Sequence, residues 1–334
     1  MQLSIIIVNY KSVQLLLNCL ASVYGETVNT RFEVIVVDNA SGDDSKAIIM
    51  QQFPQVKWIE MSYNAGFARA NNEGIRQSQS PVVLLLNADT IVENGAIDNC
   101  YAEFMRSDAV ACGVQLLNAD RSPQISGNYF MRGGLNYLLP LPYVGNLLKA
   151  VGNTVGVAKP NVPNAIGTVE VDWINGAFLM VKKDAIERVG LMDEDFFLYS
   201  EEAEWCSRLR KVGKLLIFGE YNVIHLQGET ATEVFNSTDK GYFNLFDKKG
   251  LQIIVSNFLR IRKQYGVGWL LIISFFYFLE VLVFPLGLLI EKIFKGGKSS
   301  YKWWQVNGFI RNFFKTAALL PRMVSNRPHF YKVL

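Results

Sequence analysis

Short apolar runs rich in β-branched residues alternate with stretches of helical period along the first third of the chain. LSIIIVNY (3–10) predicts a buried strand, and SVQLLLNCLASVYG (12–25) a helix that closes on Gly25. FEVIVVDNAS (32–41), VKWIEM (56–61) and PVVLLLNAD (81–89) predict three more strands. DSKAIIMQQF (44–53) and GFARANNEGIRQS (66–78) predict the helices between them. Strands this apolar, spaced by helices, predict a mostly parallel sheet covered on both faces. Such sheets bind ligands beyond the carboxyl ends of their strands, where Asn9, Asp38 and Asp89 stand.

The pattern then breaks. Residues 115–170 are rich in Gly, Pro and Asn and hold little periodicity, as a functional insertion does. VEVDWINGAFLMVKKDAIERVG (169–190) predicts a strand or two and a short helix. Residues 200–212 predict a helix with Ser200 as N-cap and Glu201, Glu202 and Glu204 in its first turn. YNVIHLQGET (221–230) carries His225, the only histidine ahead of the C-terminal tail.

The stretch 267–290 is apolar and long enough to cross a bilayer, but Glu280 and Pro285 interrupt it. Arg260, Arg262 and Lys263 precede it, and Lys292, Lys295, Lys298 and Lys302 follow, so flanking charge does not orient it. A single span, a re-entrant hairpin broken near Pro285, an interfacial helix and a buried core helix all fit this pattern. YKWWQVNGFIRNFFKTAALLPR (301–322) mixes Trp, Phe, Lys and Arg, the profile of an interfacial amphipathic helix.

Composition narrows the function. The net charge of +3 excludes a binder of nucleic acid driven by bulk charge. A mean hydropathy of +0.15 is high for a wholly soluble chain. Cys19, Cys100, Cys112 and Cys206 form no CxxC pair and read as reduced, buried thiols. MQLSIIIVNYK lacks the basic start and the apolar length of a signal peptide, which places the bulk of the chain on the cytoplasmic side. No GxGxxG follows the first strand, against a dinucleotide-dependent oxidoreductase.

An Asp after a strand most often caps a turn, and three glutamates in a first turn also suit a helix dipole. The set is nonetheless suggestive. Asp89, Asp38, the acidic cluster and His225 supply oxygen and imidazole ligands suited to Mn²⁺ or Mg²⁺. A carboxylate at a strand end can hold such an ion against a leaving diphosphate.

These residues carry a resemblance. SIIIVNYKS (4–12), VVDNASGDDS (36–45), NAGFARANNEGI (64–75), LLLNADT (84–90), the stretch 173–213 and VIHLQG (223–228) occur in the order found in family 2 glycosyltransferases of the GT-A fold. The chain resembles the rhamnosyltransferase-like branch that builds surface polysaccharides. The resemblance implies an α/β, Rossmann-like mixed sheet, mostly parallel, with helices on both faces, and a C-terminal helical membrane-associated extension. It divides the chain into a catalytic domain, 1–240, and a membrane-associating region, 241–334. Within the first, 1–114 is the nucleotide-sugar half and 169–230 the acceptor and catalytic half.

Roles follow by the same resemblance. NADT matches the family's DXD metal motif, with Asn87 in place of the first Asp, which leaves Asp89 as the surer ligand and His225 as the completing one. Asp38 matches the acceptor of a hydrogen bond from the donor's base. Asn9 and Tyr10 lie against the nucleotide, and Asn64, Gly66 and Asn72 near the ribose and diphosphate. Glu202 falls on the general-base position, where the family commonly has Asp, with Glu201 beside it and Glu204 at a further acidic position. Asp172, Trp173, Asn175 and Gly176 border the acceptor site, although a core role for Trp173 fits equally well.

The implied reaction is inverting, Mn²⁺- or Mg²⁺-dependent transfer. The donor would be dTDP-L-rhamnose, with a UDP-sugar next. The acceptor would be a polyprenyl-diphosphate-linked glycan at the cytoplasmic face of the inner (plasma) membrane. The membrane surface is then a partner, nucleic acid is not, and a homo-oligomer stays open. A catalytically inactive, membrane-tethered sugar-binding scaffold is the rival, fed by Asn87 and Glu202. The lack of a QxxRW motif argues against a processive synthase.

Overall fold

The computed structural model describes residues 1–154, 156, 160–226 and 244–333. The chain divides into two compact units. The first comprises Met1–Tyr129, Asn161–Phe197 and Glu201–Thr230; the second comprises Phe130–Pro160, Leu198–Ser200 and Ala231–Leu334. The irregular stretch from 130 to 160, expected within the catalytic domain, therefore groups with the C-terminal helices.

In the first unit the expected alternation is present: β1 (Leu3–Asn9), α1 (Val13–Glu26), β2 (Phe32–Asp38), α2 (Ser45–Gln52), β3 (Lys57–Glu60), α3 (Gly66–Gln77) and β4 (Val82–Asn87). The parallel order β3-β2-β1-β4 sets Asn9 in register with Asp38 and Val8 with Asn87, so the polar ends of three strands line up. Leu3, Ile5 and Ile7 face Leu16, Cys19, Leu20 and Val23 of α1 in one buried cluster. On the other face, Gly74 lets α3 lie against Ile6.

The sheet continues through β5 (Thr90–Val92), β6 (Ala111–Leu117), β11 (Phe178–Lys182) and β12 (Leu215–His225), with β9 (Thr168–Val171) on β12. It is a mixed sheet: β11 runs antiparallel between β4 and β6, and β12 runs parallel to β6. A register shift between Phe218 and Asn222 redirects β12 so that His225 pairs with Thr90. Short strands β7 (Gly127–Asn128), β8 (Asn161–Val162) and β10 (Trp173–Ile174) form a second sheet. α4 (Ala96–Arg106), α6 (Lys183–Val189) and α7 (Glu201–Leu209) complete this unit, the last carrying the three glutamates.

The second unit is helical. A 3₁₀ segment (Arg132–Leu138) and α5 (Val144–Thr154) give the supposedly irregular stretch more order than its composition suggested. α8 (Lys248–Tyr265) is buried from Lys249 through Ile261 and starts at Asp247, whose carboxylate accepts from Gly250 N. α9 (Val267–Phe294) runs unbroken past Pro285, which removes the hairpin alternative. α10 (Trp303–Ala317) and α11 (Leu320–Ser325) follow.

One face of α9 is buried through Leu270, Ile273, Tyr277, Val281, Phe284 and Leu288. Glu280 lies on that face and accepts from the backbone N–H groups of Tyr143 and Val144, so it serves the start of α5. The opposite stripe, including Leu271, Phe275, Phe278, Leu282, Leu286 and Ile293, is exposed. Ser200 does not take the expected cap geometry. Its φ is +68°, outside the extended region of an N-cap, and its hydroxyl donates to Asn257 Oδ1 at 2.8 Å.

Candidate active site

Polar side chains gather at the carboxyl ends of β1, β2 and β4. Asn9, fully buried, donates to Asp38 Oδ1 (2.8 Å) and reaches Ser41 Oγ (3.2 Å). Asp38 accepts further from the Ser41 hydroxyl (2.6 Å) and the Ser41 N–H (3.0 Å). Ala40 takes a left-handed φ of +61° in this turn. Asn39 extends the network: its amide donates to Asn64 Oδ1 and Gly66 O, and its carbonyl accepts from Ala65 N–H. Sequence reading named Asn9, Asp38 and Asn64 here but missed Asn39 and Ser41, although both sit inside VVDNAS. Tyr10 is half-buried, with the Lys11 ammonium 5.7 Å from its ring centroid.

Gly66 opens α3 at φ +77°, and a Cβ there would stand 2.1 Å from Phe197 O. Only glycine permits this approach, and the Phe67 N–H bonds the same carbonyl at 2.8 Å. Asn72 is fully buried. Its amide brackets Met192, donating to the carbonyl (2.8 Å) and accepting from the N–H (3.0 Å). The structure therefore spends Asn72 on the loop ahead of the acidic helix.

The end of β4 faces the end of β12. Asp89 Oδ1 lies 3.4 Å from His225 Nε2, and Asn87 Nδ2 lies 3.3 Å from the same nitrogen. Gln124, unsuspected from sequence, fixes the imidazole. Its Nε2 faces three oxygens, His225 O (2.6 Å), Asn118 Oδ1 (2.8 Å) and Leu117 O (3.2 Å), so its Oε1 is the atom 3.0 Å from His225 Nδ1. Nδ1 then carries a proton, and Nε2 faces Asp89 Oδ1 and Asn87 Nδ2.

This pair suits a hard divalent cation. Neighbouring ligands of an octahedral ion with bonds of about 2.1 Å stand roughly 3 Å apart, close to the separation seen. No group of three or more His, Cys, Asp or Glu gathers as a metal site among the described residues. Beneath the turn, Cys19 Sγ lies 3.5 Å from Thr90 Oγ1. Burial pushes its thiol up to about 12, against the pull of the Thr90 hydrogen bond, which leaves it protonated and inert. All four cysteines are buried, and none forms a disulfide among the described residues.

The WINGA loop approaches the same strand end: Asn87 N–H donates to Ala177 O at 3.1 Å. Asn175 shapes that loop, accepting from Ala177 N–H (2.9 Å). Gly176 is the point of contact, since a Cβ there would lie 3.6 Å from Cβ and Cγ of Glu202. Glu202 is half-buried, whereas Glu201 and Glu204 are buried. Glu204 is held by Arg208, with Nε and Nη2 donating at 2.8–3.1 Å, and Arg208 also grips the carbonyls of Val189 and Leu191. Asp172 is paired with Arg210 (2.9 Å). Trp173 pairs with Asn128 across the small sheet, and its buried indole N–H has no acceptor among the described residues.

The structure thus brings together Asp38 with Asn9 and Asn64, Asp89 with Asn87 and His225, and Gly176 with Glu202. It commits Asn72, Glu204 and Asp172 to protein partners.

Residues 4–154 match the family described as "Glycosyl transferase family 2". Among curated proteins, the hexosyltransferase Agl10 of low-salt glycan biosynthesis in Haloferax volcanii is 28% identical over 214 residues, 63% of this chain and 62% of that protein. An N-acetylglucosaminyl-diphospho-decaprenol L-rhamnosyltransferase of Mycobacterium tuberculosis is 26% identical over 55% of this chain and 63% of that protein. The dTDP-rhamnosyl transferase RfbF of Shigella flexneri is 26% identical over 60% and 62%. The chain thus spans a little under two thirds of the length of these relatives. Among solved structures, the mannosyltransferase PcManGT of Pyrobaculum calidifontis, in complex with GDP-Man and Mn²⁺, aligns with 98% of this chain and 88% of its own at TM-score 0.55 and 14% identity. That likeness establishes the fold alone.

Proposed function

Residues 4–154 match the family described as "Glycosyl transferase family 2", and from that premise we propose that this chain is an inverting, metal-dependent hexosyltransferase. Its donor is a nucleoside-diphosphate sugar, dTDP-L-rhamnose first and a UDP-sugar second. Its acceptor is a glycan on a polyprenyl diphosphate. The observation that carries the reading is the Asp89–His225 pair, with Nε2 turned to Asp89 by Gln124.

Asp38, fixed by Asn9 and Ser41, accepts a hydrogen bond from the pyrimidine base. Asn64 and the Gly66 backbone flank the ribose and diphosphate. Asp89 and His225 would hold Mn²⁺ or Mg²⁺, which when bound would offset the charge that builds on the departing diphosphate. Glu202 takes the proton of the acceptor hydroxyl as that oxygen attacks the anomeric carbon from the face opposite the diphosphate. Glu is one methylene longer than Asp, which changes its reach and not its chemistry. Trp173 offers a ring face to the acceptor sugar. Glu204, Asn72 and Asp172 position this machinery through their protein partners.

Two relatives' names support a rhamnosyl donor, and one names a diphospho-polyprenol acceptor. The exposed stripe of α9 and the Trp303–Trp304 pair support attachment to a membrane surface. Calorimetry with dTDP and UDP, with and without Mn²⁺, on the protein and on Asp89→Ala tests the reading. Binding that needs both the metal and Asp89 is expected. If neither nucleotide binds under any metal condition, the transferase reading fails and the scaffold reading replaces it.

A further inference from the structure

The second unit buries an arginine without neutralising it. Arg260, on α8, is 4% exposed. Its guanidinium lies 4.6 Å from the Phe130 ring centroid and 5.3 Å from that of Tyr137. Nε donates to Gln264 Oε1 at 2.9 Å, and Nη1 donates to the Tyr137 hydroxyl. Every one of these partners is neutral. A buried charge normally carries a counter-charge, because rings and neutral acceptors replace only part of the water it loses.

No acid of this unit supplies one. Asp247, Glu280 and Glu291 are its acids among the described residues, and each is engaged elsewhere. Asp247 accepts from Asn244 and Gly250, Glu280 from the start of α5, and Glu291 from Lys295 and Ser300. Two hydroxyls continue the arrangement. Tyr137 OH is 3.5 Å from Ser200 Oγ, and Ser200 stands two residues ahead of Glu202 in the chain. Phe130, Tyr137, Ser200 and Gln264 are all only half-buried. The guanidinium therefore lies one side chain below the surface, with its remaining N–H groups unclaimed among the described residues.

We infer that Arg260, with the hydroxyls of Tyr137 and Ser200, forms a second anion site, one that takes a diphosphate. A guanidinium presents a fork of donors that matches phosphate oxygens two at a time, and the aromatic walls suit the allylic end of a prenyl chain. The ligand class is a diphosphate ester. Its source is the diphosphate of the lipid-linked acceptor, an assignment that rests on the transferase reading; a free nucleoside diphosphate shares the chemistry.

The test uses the full-length protein in detergent, labelled with phenylglyoxal, an arginine reagent, and read by peptide mass mapping. Farnesyl diphosphate is expected to protect Arg260 at least tenfold, and dTDP to protect it far less. Arg260→Gln is expected to weaken farnesyl diphosphate binding at least tenfold. Should that variant not fold, the labelling of the unaltered protein still decides. Equal protection by dTDP or inorganic pyrophosphate would make the free anion the ligand and overturn the acceptor assignment. No protection by any diphosphate overturns the site. Mn²⁺-dependent dTDP binding, followed on the same samples, separates the two readings. Its absence counts against the transferase, whereas its presence without protection of Arg260 counts against this site alone.

Discussion

At the scale of single residues, chemistry is set by partners that sequence places far away. Asp89 and His225 were legible as candidates because each sits at the apolar end of a strand in a familiar order of motifs, and the structure sets them 3.4 Å apart. Gln124 was not, because it lies in a stretch without periodicity, 101 positions from the histidine it orients. Loss of such an outer partner typically costs about 10–100-fold in metal affinity. Gln124→Leu is therefore expected to weaken Mn²⁺ binding by about that factor, read by electron paramagnetic resonance of free Mn²⁺. Unchanged affinity would remove Gln124 from the site. Asn72 and Glu204 teach the converse. Their motif positions matched, but burial and the hydrogen bonds to Met192 and Arg208 show that a polar residue in a motif can serve the scaffold.

Asp98 shows the same principle with a pH signature. Its carboxylate accepts from the backbone N–H groups of Val28, Asn29 and Thr30, each at 2.8 Å. Burial raises its pKa, but these bonds outweigh burial and the net shift is downward. A group whose folded pKa is depressed stabilises above its unfolded pKa of about 3.9, and that stability is lost as pH falls through the folded value. Asp98→Asn should lower stability by about 1–3 kcal/mol at pH 7. The deficit should shrink below about pH 4, followed by urea denaturation across pH. A deficit independent of pH would contradict the assignment.

At the scale of elements, period and polarity located β1 through β4 and the helices between them, because buried parallel strands are uniformly apolar. They did not locate α5, whose Gly- and Asn-bearing sequence VGNLLKAVGNT reads as loop until α9 packs beside it within the same unit. Nor could composition choose among the fates of residues 267–290. Glu280 looked like an interruption, yet it faces inward and serves α5, so the helix keeps both its length and its carboxylate. Element contacts also fix Gly66. Gly66→Ala would set a Cβ against Phe197 O in a left-handed backbone. It is expected to cost about 2–4 kcal/mol, seen as a lower urea midpoint. A stability equal to the parent's would mean the 194–197 segment yields freely.

At the scale of the whole molecule, a mixed-sheet unit and a helical unit that is poor in acids and carries an exposed apolar stripe share one chain. An exposed apolar stripe is what an interaction site presents, and its flanking lysines suit an anionic leaflet. Phe275→Lys with Leu282→Lys should abolish flotation with phosphatidylglycerol vesicles while the protein stays folded. Flotation equal to the parent's would place the membrane contact elsewhere.

Transfer itself is decided by incubating the full-length protein with dTDP-L-rhamnose, Mn²⁺ and a short prenyl-diphosphate-linked N-acetylglucosamine, and reading the anomeric configuration of the product by NMR. With Glu202 as base, the product carries the configuration opposite to the donor's. Glu202→Gln should lower the rate about 10²–10⁴-fold while dTDP binding holds. A product that retains the donor's configuration, or a Glu202→Gln protein as fast as the parent, would contradict inverting transfer with Glu202 as its base.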